Sequence, residues 1–168
     1  MPAAAVVLSQ ELVGLLDGAS WQSYSTFRSH PLMMPAIRAH LRISSRDKLP
    51  ERAQQLDAVM EALLREVAAA HPSVRRIDGR GLHWTIELQG MDWRDWRGEE
   101  SEPLASRVAA RALDAGVLIA TSGEITSLFL APPLICEEED LRRIVDALDH
   151  GLHVADDELE RTFGHSAS

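Results

Sequence analysis

A side-chain amine able to form an imine has one candidate in this sequence. Lys48 is the single lysine among 17 basic residues, the other sixteen being arginine. An imine-forming lysine needs a desolvated, shaped pocket that depresses its pKa. Lys48 stands between Asp47 and Pro50, in a break between two predicted helices, so its ammonium is expected to reach into water. Histidine offers the next chemistry. His150 and His153 could share a helix face, with Asp149 and Asp157 nearby. Zinc requires three convergent ligands and ordered groups behind them, and no third ligand stands at a useful spacing. The expectation is therefore no metal and a solvated helix end. His40, on an apolar helical stripe, reads as a hydrogen-bonded core or edge histidine. Cys136 lies just before a helix start, where a thiolate could be stabilised. With no histidine near it in sequence, it reads as a small buried hydrophobe. The run Glu137 to Asp140 reads as charge suited to a helix N-terminus, not as an acid/base pair.

The segment Tyr24-Ser25-Thr26-Phe27 is hydroxyl-rich and aromatic and leads into a helix start at His30-Pro31. Hydroxyls beside free backbone N–H groups make an anion or phosphate site. A turn that caps its own helix uses the same residues, and the segment by itself favours that reading.

These side chains depend on a mixed set of elements. Ala4 to Leu8 is a short apolar run that reads as a buried strand. Ser9 then reads as an N-cap, Leu12, Val13, Leu15 and Leu16 as an apolar helical face, and Asp17-Gly18 as its end. Leu32, Met33, Ala36, Ile37, Leu41 and Ile43 recur at roughly helical spacing, with Pro35 tolerable in the first turn. Glu51 to Ala70 carries the strongest helical stripe, through Leu56, Met60, Leu64 and Val67, and His71-Pro72 stops it. Val74 to Ile77 and Leu82 to Leu88 read as strands joined by a turn at Asp78-Gly79-Arg80-Gly81. The second alternates, with Leu82, Trp84, Ile86 and Leu88 on one face. Gly90 to Glu102 reads as a charged loop. A helix from Pro103, placed at its first position, runs to about Ala115 with Gly116 as cap. Val117 to Ala120 and Leu128 to Ala131 read as short strands. A last helix spans Glu137 to His153, and the tail from Asp156 is expected to fray. Together these predict an α+β fold, with helices on one face of a small, mostly antiparallel sheet.

The chain has 168 residues, enough for one ordinary domain or a compact part of a larger one. It is 45% hydrophobic and 26% charged, which excludes collagen-like, disordered and membrane-spanning classes. A net charge of -9 disfavours nucleic acid and anionic lipid as partners. The N-terminus lacks a basic stretch of the kind that begins a secretory signal. The one cysteine fits a reducing compartment. A cytoplasmic location is expected.

Several segments, in order, resemble the class III (omega-type) aminotransferases. Ser25 to Leu32 is similar to the stretch written T-[FY]-x-G-[HN]-P-x. His71-Pro72-Ser73-Val74, Gly79-Arg80-Gly81-Leu82 and Ile86-Glu87-Leu88 resemble the family's "HP-x-V…GxGL…xIEL" strand pair. Val108-Ala109 to Gly116-Val117-Leu118 is similar to its "A…GLL" junction. Leu130-Ala131-Pro132-Pro133-Leu134-Ile135 and the helix after it resemble "LAPPLxIxxEE…DxLxxxL". The resemblance covers residues 1 to about 153 and implies a fold-type I pyridoxal-phosphate enzyme. Such enzymes move an amino group from an amine or amino acid to a 2-oxo acid, and they work as dimers with sites at the subunit interface. It further implies that residues 1–44 are a remnant of the large cofactor domain plus a connecting helix. Residues 45–153 would be the small C-terminal domain and 154–168 a polar tail.

By the same resemblance, Thr26 binds the cofactor phosphate of the neighbouring subunit. The family's Schiff-base lysine precedes that threonine by a few tens of residues, ahead of Met1. Its ring-binding aspartate, stacking aromatic and phosphate loop lie earlier still. The chain is therefore expected to be inactive alone and to need a partner, either a second copy or a chain carrying the large domain. The alternative expectation is a non-catalytic interaction module. Two departures stand out. Ser29 replaces the motif's glycine, and Phe129 stands where several members carry an arginine that clamps a substrate carboxylate.

Overall fold

The computed structural model describes residues 6–20, 30–89, 102–122 and 126–163. The chain divides into two compact units, Met1–Lys48 and Leu49–Ser168.

The first unit holds α1 (Gln10–Leu16) and α2 (Met33–Arg46). Ser9 caps α1 as expected, its hydroxyl accepting from the Leu12 N–H at 3.3 Å. Gly18 takes the turn after it at φ +79°. The strand expected over Ala4 to Leu8 is not formed at Val6 to Leu8, which join no strand among the described residues and are exposed; residues 4 and 5 lie outside the described residues. A strand needs a partner ladder for its backbone groups, and an apolar run alone does not supply one. The start of α2 is set by His30, whose carbonyl accepts from Met33 N–H at 2.9 Å and whose Nδ1 accepts from Leu32 N–H at 3.2 Å. His40 is not a core histidine: it is exposed, with a long contact of 3.5 Å to the Ser44 hydroxyl.

The second unit contains α3 (Leu49–Ala70), β1 (Val74–Arg80), β2 (His83–Leu88), α4 (Leu104–Asp114), β3 (Ala120–Thr121), β4 (Ser127–Leu130) and α5 (Glu138–Phe163). The strands form one antiparallel sheet in the order β1-β2-β4-β3. Its alternation is that of a sheet covered on one side. Trp84, Ile86, Leu88, Leu128 and Leu130 are buried, while His83, Thr85 and Phe129 face the other way. The three helices cover the apolar face, with α4 and α5 packed on each other and α3 against β1 and α5. Met60, Leu64, Ile86, Leu128, Leu148 and Leu152 are each at most 1% exposed and form the centre of the core. The α+β expectation holds.

Four local readings change. β1 does not stop at Ile77; it continues to Arg80, because Gly79 pairs with Trp84 where a Cβ would come within 2.4 Å of the His83 carbonyl oxygen. The turn is therefore the two residues Gly81-Leu82, with Gly81 at φ +63°. Its N–H donates to Asp57 at 2.8 Å and its carbonyl accepts from the Trp84 indole at 2.9 Å. Pro103 sits one residue before α4 rather than as its first residue. β3 begins at Ala120, because the chain leaves α4 through Gly116 at φ +87° and Val117 N–H is still bonded to the Ala112 carbonyl at 3.0 Å. Finally, α5 does not end at His153 and Asp156 to Phe163 are not frayed: they continue the helix, with Ala155 fully buried. Ala155 and Leu159 continue the stripe of Leu148 and Leu152 at helical spacing, a signal that the polar residues around them obscure.

α4 and α5 meet at Gly151. A Cβ there would lie 2.7 Å from the Val108 carbonyl oxygen and 3.2 Å from its side chain. Gly151→Ala is expected to lower unfolding free energy by about 1–3 kcal/mol through overpacking, although alanine is the better helix former. Urea denaturation checks this; an unchanged or raised midpoint would show that the helices part without cost.

Candidate functional site

Thr26 falls within residues 21–29, outside the described residues. Lys48 ends the first unit, exposed and at φ +50°. Its neighbour Asp47 is held by Arg46 through two hydrogen bonds of 2.6 and 2.8 Å, so that carboxylate is engaged elsewhere.

The uncovered face of the sheet places Asp78, Thr85, Phe129 and Ala120 in one row across the four strands. The next row holds Arg76, Glu87 and Ser127. Glu87 accepts ion pairs from Arg75 at 3.3 Å and Arg76 at 3.4 Å. Phe129 is half-buried, with the His83 ring tilted against it at 6.0 Å between centroids. The position is aromatic and uncharged, so it cannot clamp a carboxylate.

A cleft of about 480 Å³ lies between the turn after α4 and the start of α5, lined by Val117, Leu118, Pro133, Cys136, Asp140 and Arg143 among others. Cys136 is 7% exposed, and burial, with the Asp140 charge, pushes its thiol up. A thiol so placed is a packing group at neutral pH, as the sequence suggests. Arg52 of α3 donates to the Cys136 carbonyl at 2.6 Å and pairs with Glu137 at 2.6 Å, tying the two helix starts together. Asp140 accepts from the Glu137 N–H at 3.0 Å, which confirms the capping role of the acidic run.

The most concentrated chemistry is at His71. The ring is 2% exposed. Its Nδ1 lies 2.6 Å from Asp156 Oδ2 and its Nε2 lies 3.0 Å from Asp149 Oδ1. Ionised carboxylates only accept, so bonding to both at once requires both ring nitrogens to donate, which favours the protonated ring. Burial opposes that charge, but the hydrogen bonds and charges of Asp149 and Asp156 outweigh it and raise the ring's pKa. Burial likewise opposes the Asp156 charge. The Ser73 side chain and backbone and the His71 ring outweigh it and hold the carboxyl below its ordinary range. Ser73 N–H donates to Asp156 Oδ1 at 3.1 Å. The Ser73 hydroxyl is fully buried and faces the same carboxylate, whose charge it favours. His153 meets His71 edge-on, with centroids 5.1 Å apart.

The structure thus brings His153 and Asp149 to a centre, but not with His150 or Asp157, which are exposed. Sequence reasoning missed His71 and Asp156. The available signal was the spacing of Asp149, His153 and Asp156, which share one helical face; it was hidden by ending the helix at His153.

Residues 1–152 match the aminotransferase class-III family. The chain is 28% identical over 166 residues to the uncharacterized aminotransferase y4uB of Sinorhizobium fredii, covering 95% of this chain and 35% of that protein. It is 26% identical over 152 residues to the ethanolamine-phosphate phospho-lyase homolog 1 of Caenorhabditis elegans, covering 90% and 32%. It superimposes on the S-selective transaminase from Arthrobacter sp. with a TM-score of 0.69 at 25% identity, covering 93% of this chain and 35% of that one. The chain therefore spans about a third of the length of the relatives it matches.

The His71 clasp gives stability a pH dependence of known sign. A raised folded pKa adds stability that is complete below the unfolded value of about 6.5 and is lost as pH rises through the folded value. Asp156 acts oppositely: its depressed pKa adds stability that is complete above about 3.9 and is lost as pH falls through the folded value. In chelator-treated buffer, unfolding free energy is expected to decline as pH rises above about 6.5. His71→Gln is expected to be less stable at the acid end of that range and to lack the decline. Parallel pH profiles for the two proteins would show that the ring is not charged.

Proposed function

The chain belongs to the class III aminotransferase family, and from that premise we propose that it carries the C-terminal portion of a pyridoxal-phosphate enzyme. The enzyme moves an amino group from an amine or amino acid to a 2-oxo acid. The observation that supports this most is the likeness to the Arthrobacter transaminase, which extends through both compact units and over 93% of the chain. In this reading residues 1–44 belong with a cofactor domain and the second unit is the small domain. Thr26 gives one hydroxyl to the cofactor phosphate of a neighbouring subunit, a contact of about 1 kcal/mol.

The described residues do not make a pyridoxal-phosphate site by themselves. The buried polar residues among them are His71, Ser73 and Ser122, none of which carries an amine. Lys48 is exposed in a turn, not enclosed in a pocket that would depress its pKa. No covalent step is therefore assigned to these described side chains. The amine that holds the cofactor comes from a large domain. Phe129 supports a donor that lacks a carboxylate, or one whose carboxylate is held elsewhere.

A second reading, of a module that docks on a chain bearing the large domain, is supported by the first unit. α1 and α2 contain no buried residue. Leu15, Leu32 and Leu41 are 73%, 71% and 61% exposed. Apolar surface on this scale marks an interaction site.

Borohydride reduction of the chain with pyridoxal phosphate, followed by mass spectrometry, is expected to yield no stoichiometric adduct at Lys48. A one-to-one adduct, or transamination by the isolated chain, would overturn the first reading. Sedimentation is expected to show self-association that Leu41→Glu weakens; a stable monomer would count against the docking surface.

A further inference from the structure

We propose that His71, His153 and Asp156 form a binding site for one divalent metal ion of the zinc class. One ligand atom from each lies within 4.8 Å of the other two. Two of the three come from α5, one turn apart on one face. The third comes from the junction between α3 and β1. Such convergence from separate elements is what a chelate site requires and what the sequence spacing could not show.

The surroundings favour the same assignment. Metal-bound histidines are held by a carboxylate on the other ring nitrogen. Asp149 does this for His71, at 3.0 Å from Nε2, which leaves Nδ1 for the metal. Asp156 is fixed behind in the same way: Ser73 N–H holds Oδ1 at 3.1 Å while Oδ2 points at the His71 ring. The fully buried Ser73 side chain backs the same carboxylate and favours its charge.

The rearrangement is small. His71 Nδ1 and Asp156 Oδ2 are 2.6 Å apart across a proton; two ligands at about 2.0–2.1 Å on a tetrahedral ion stand roughly 3.3 Å apart. The ion takes the place of that proton with a widening of roughly 0.7 Å. His153 is exposed, so its ring is free to turn, and a ring nitrogen already lies within 4.8 Å of the other two ligand atoms. Two imidazoles and one carboxylate select zinc-like ions over magnesium or calcium, which require oxygen ligands. A fourth position is left for water on the exposed side. The site lies wholly within the Leu49–Ser168 unit, so it stands or falls independently of the transaminase reading.

The test titrates the full chain, stripped with a chelator, with zinc chloride by calorimetry and thermal melting, and in parallel with magnesium chloride. One Zn²⁺ per chain is expected, with a raised melting temperature and no response to Mg²⁺. His153→Gln is expected to weaken Zn²⁺ binding at least tenfold while leaving the metal-free melting temperature unchanged, since the side chain is outside the core. His150→Gln, on an exposed neighbour, is expected to bind as the unaltered chain does. Absence of one-to-one Zn²⁺ binding would overturn the proposal. So would full affinity in His153→Gln, an equal loss in His150→Gln, or an equal response to Mg²⁺.

Discussion

The second unit is organised by the need to cover one face of a four-stranded sheet. Trp84, Ile86 and Leu88 alternate along β2, and Leu128 and Leu130 continue the same face on β4. Three helices meet that demand. Gly151 lets α4 and α5 approach to backbone contact, and Gly79 lets β1 run past Trp84. Each is a place where a side chain would hold two elements apart. The opposite face, with Asp78, Thr85, Glu87 and Phe129, is left for chemistry or contact rather than for the core.

Polar interactions then fix how the elements join. Arg52 ties the start of α3 to the start of α5. Asp57 holds the hairpin turn at Gly81. His71 fastens the end of α3 to the middle of α5 through two carboxylates. A buried protonated imidazole is costly unless both donors are paired, so the clasp fixes α5 against the end of α3. The same pairing places His153 beside it, which makes a structural fastening also a set of metal donors.

The chain belongs to the class III aminotransferases and spans about a third of the length of the relatives it matches. Its described side chains contain a well-packed small domain and an exposed lysine, not an enclosed amine. The function proposed for it is accordingly one of completing a site rather than performing the covalent step. The exposed leucines of α1 and α2 suit that role, since surfaces that pack on a second body remain apolar when it is absent.

Local chemistry was legible in the residues themselves. The helical stripe through Leu56, Met60 and Leu64, the alternation of β2, the cap at Ser9 and the glycine end of α4 each follow from neighbours a few residues apart, and all are present. The order of motifs also gave the family. The two-residue turn after Arg80 and the company of His71 were not legible. Asp149 and Asp156 lie 78 and 85 residues from His71 in sequence. Periodicity reports which face of an element is apolar; it carries no information on which polar group another element will bring within 3 Å of it. That pairing is decided only when the sheet and helices close on their common core.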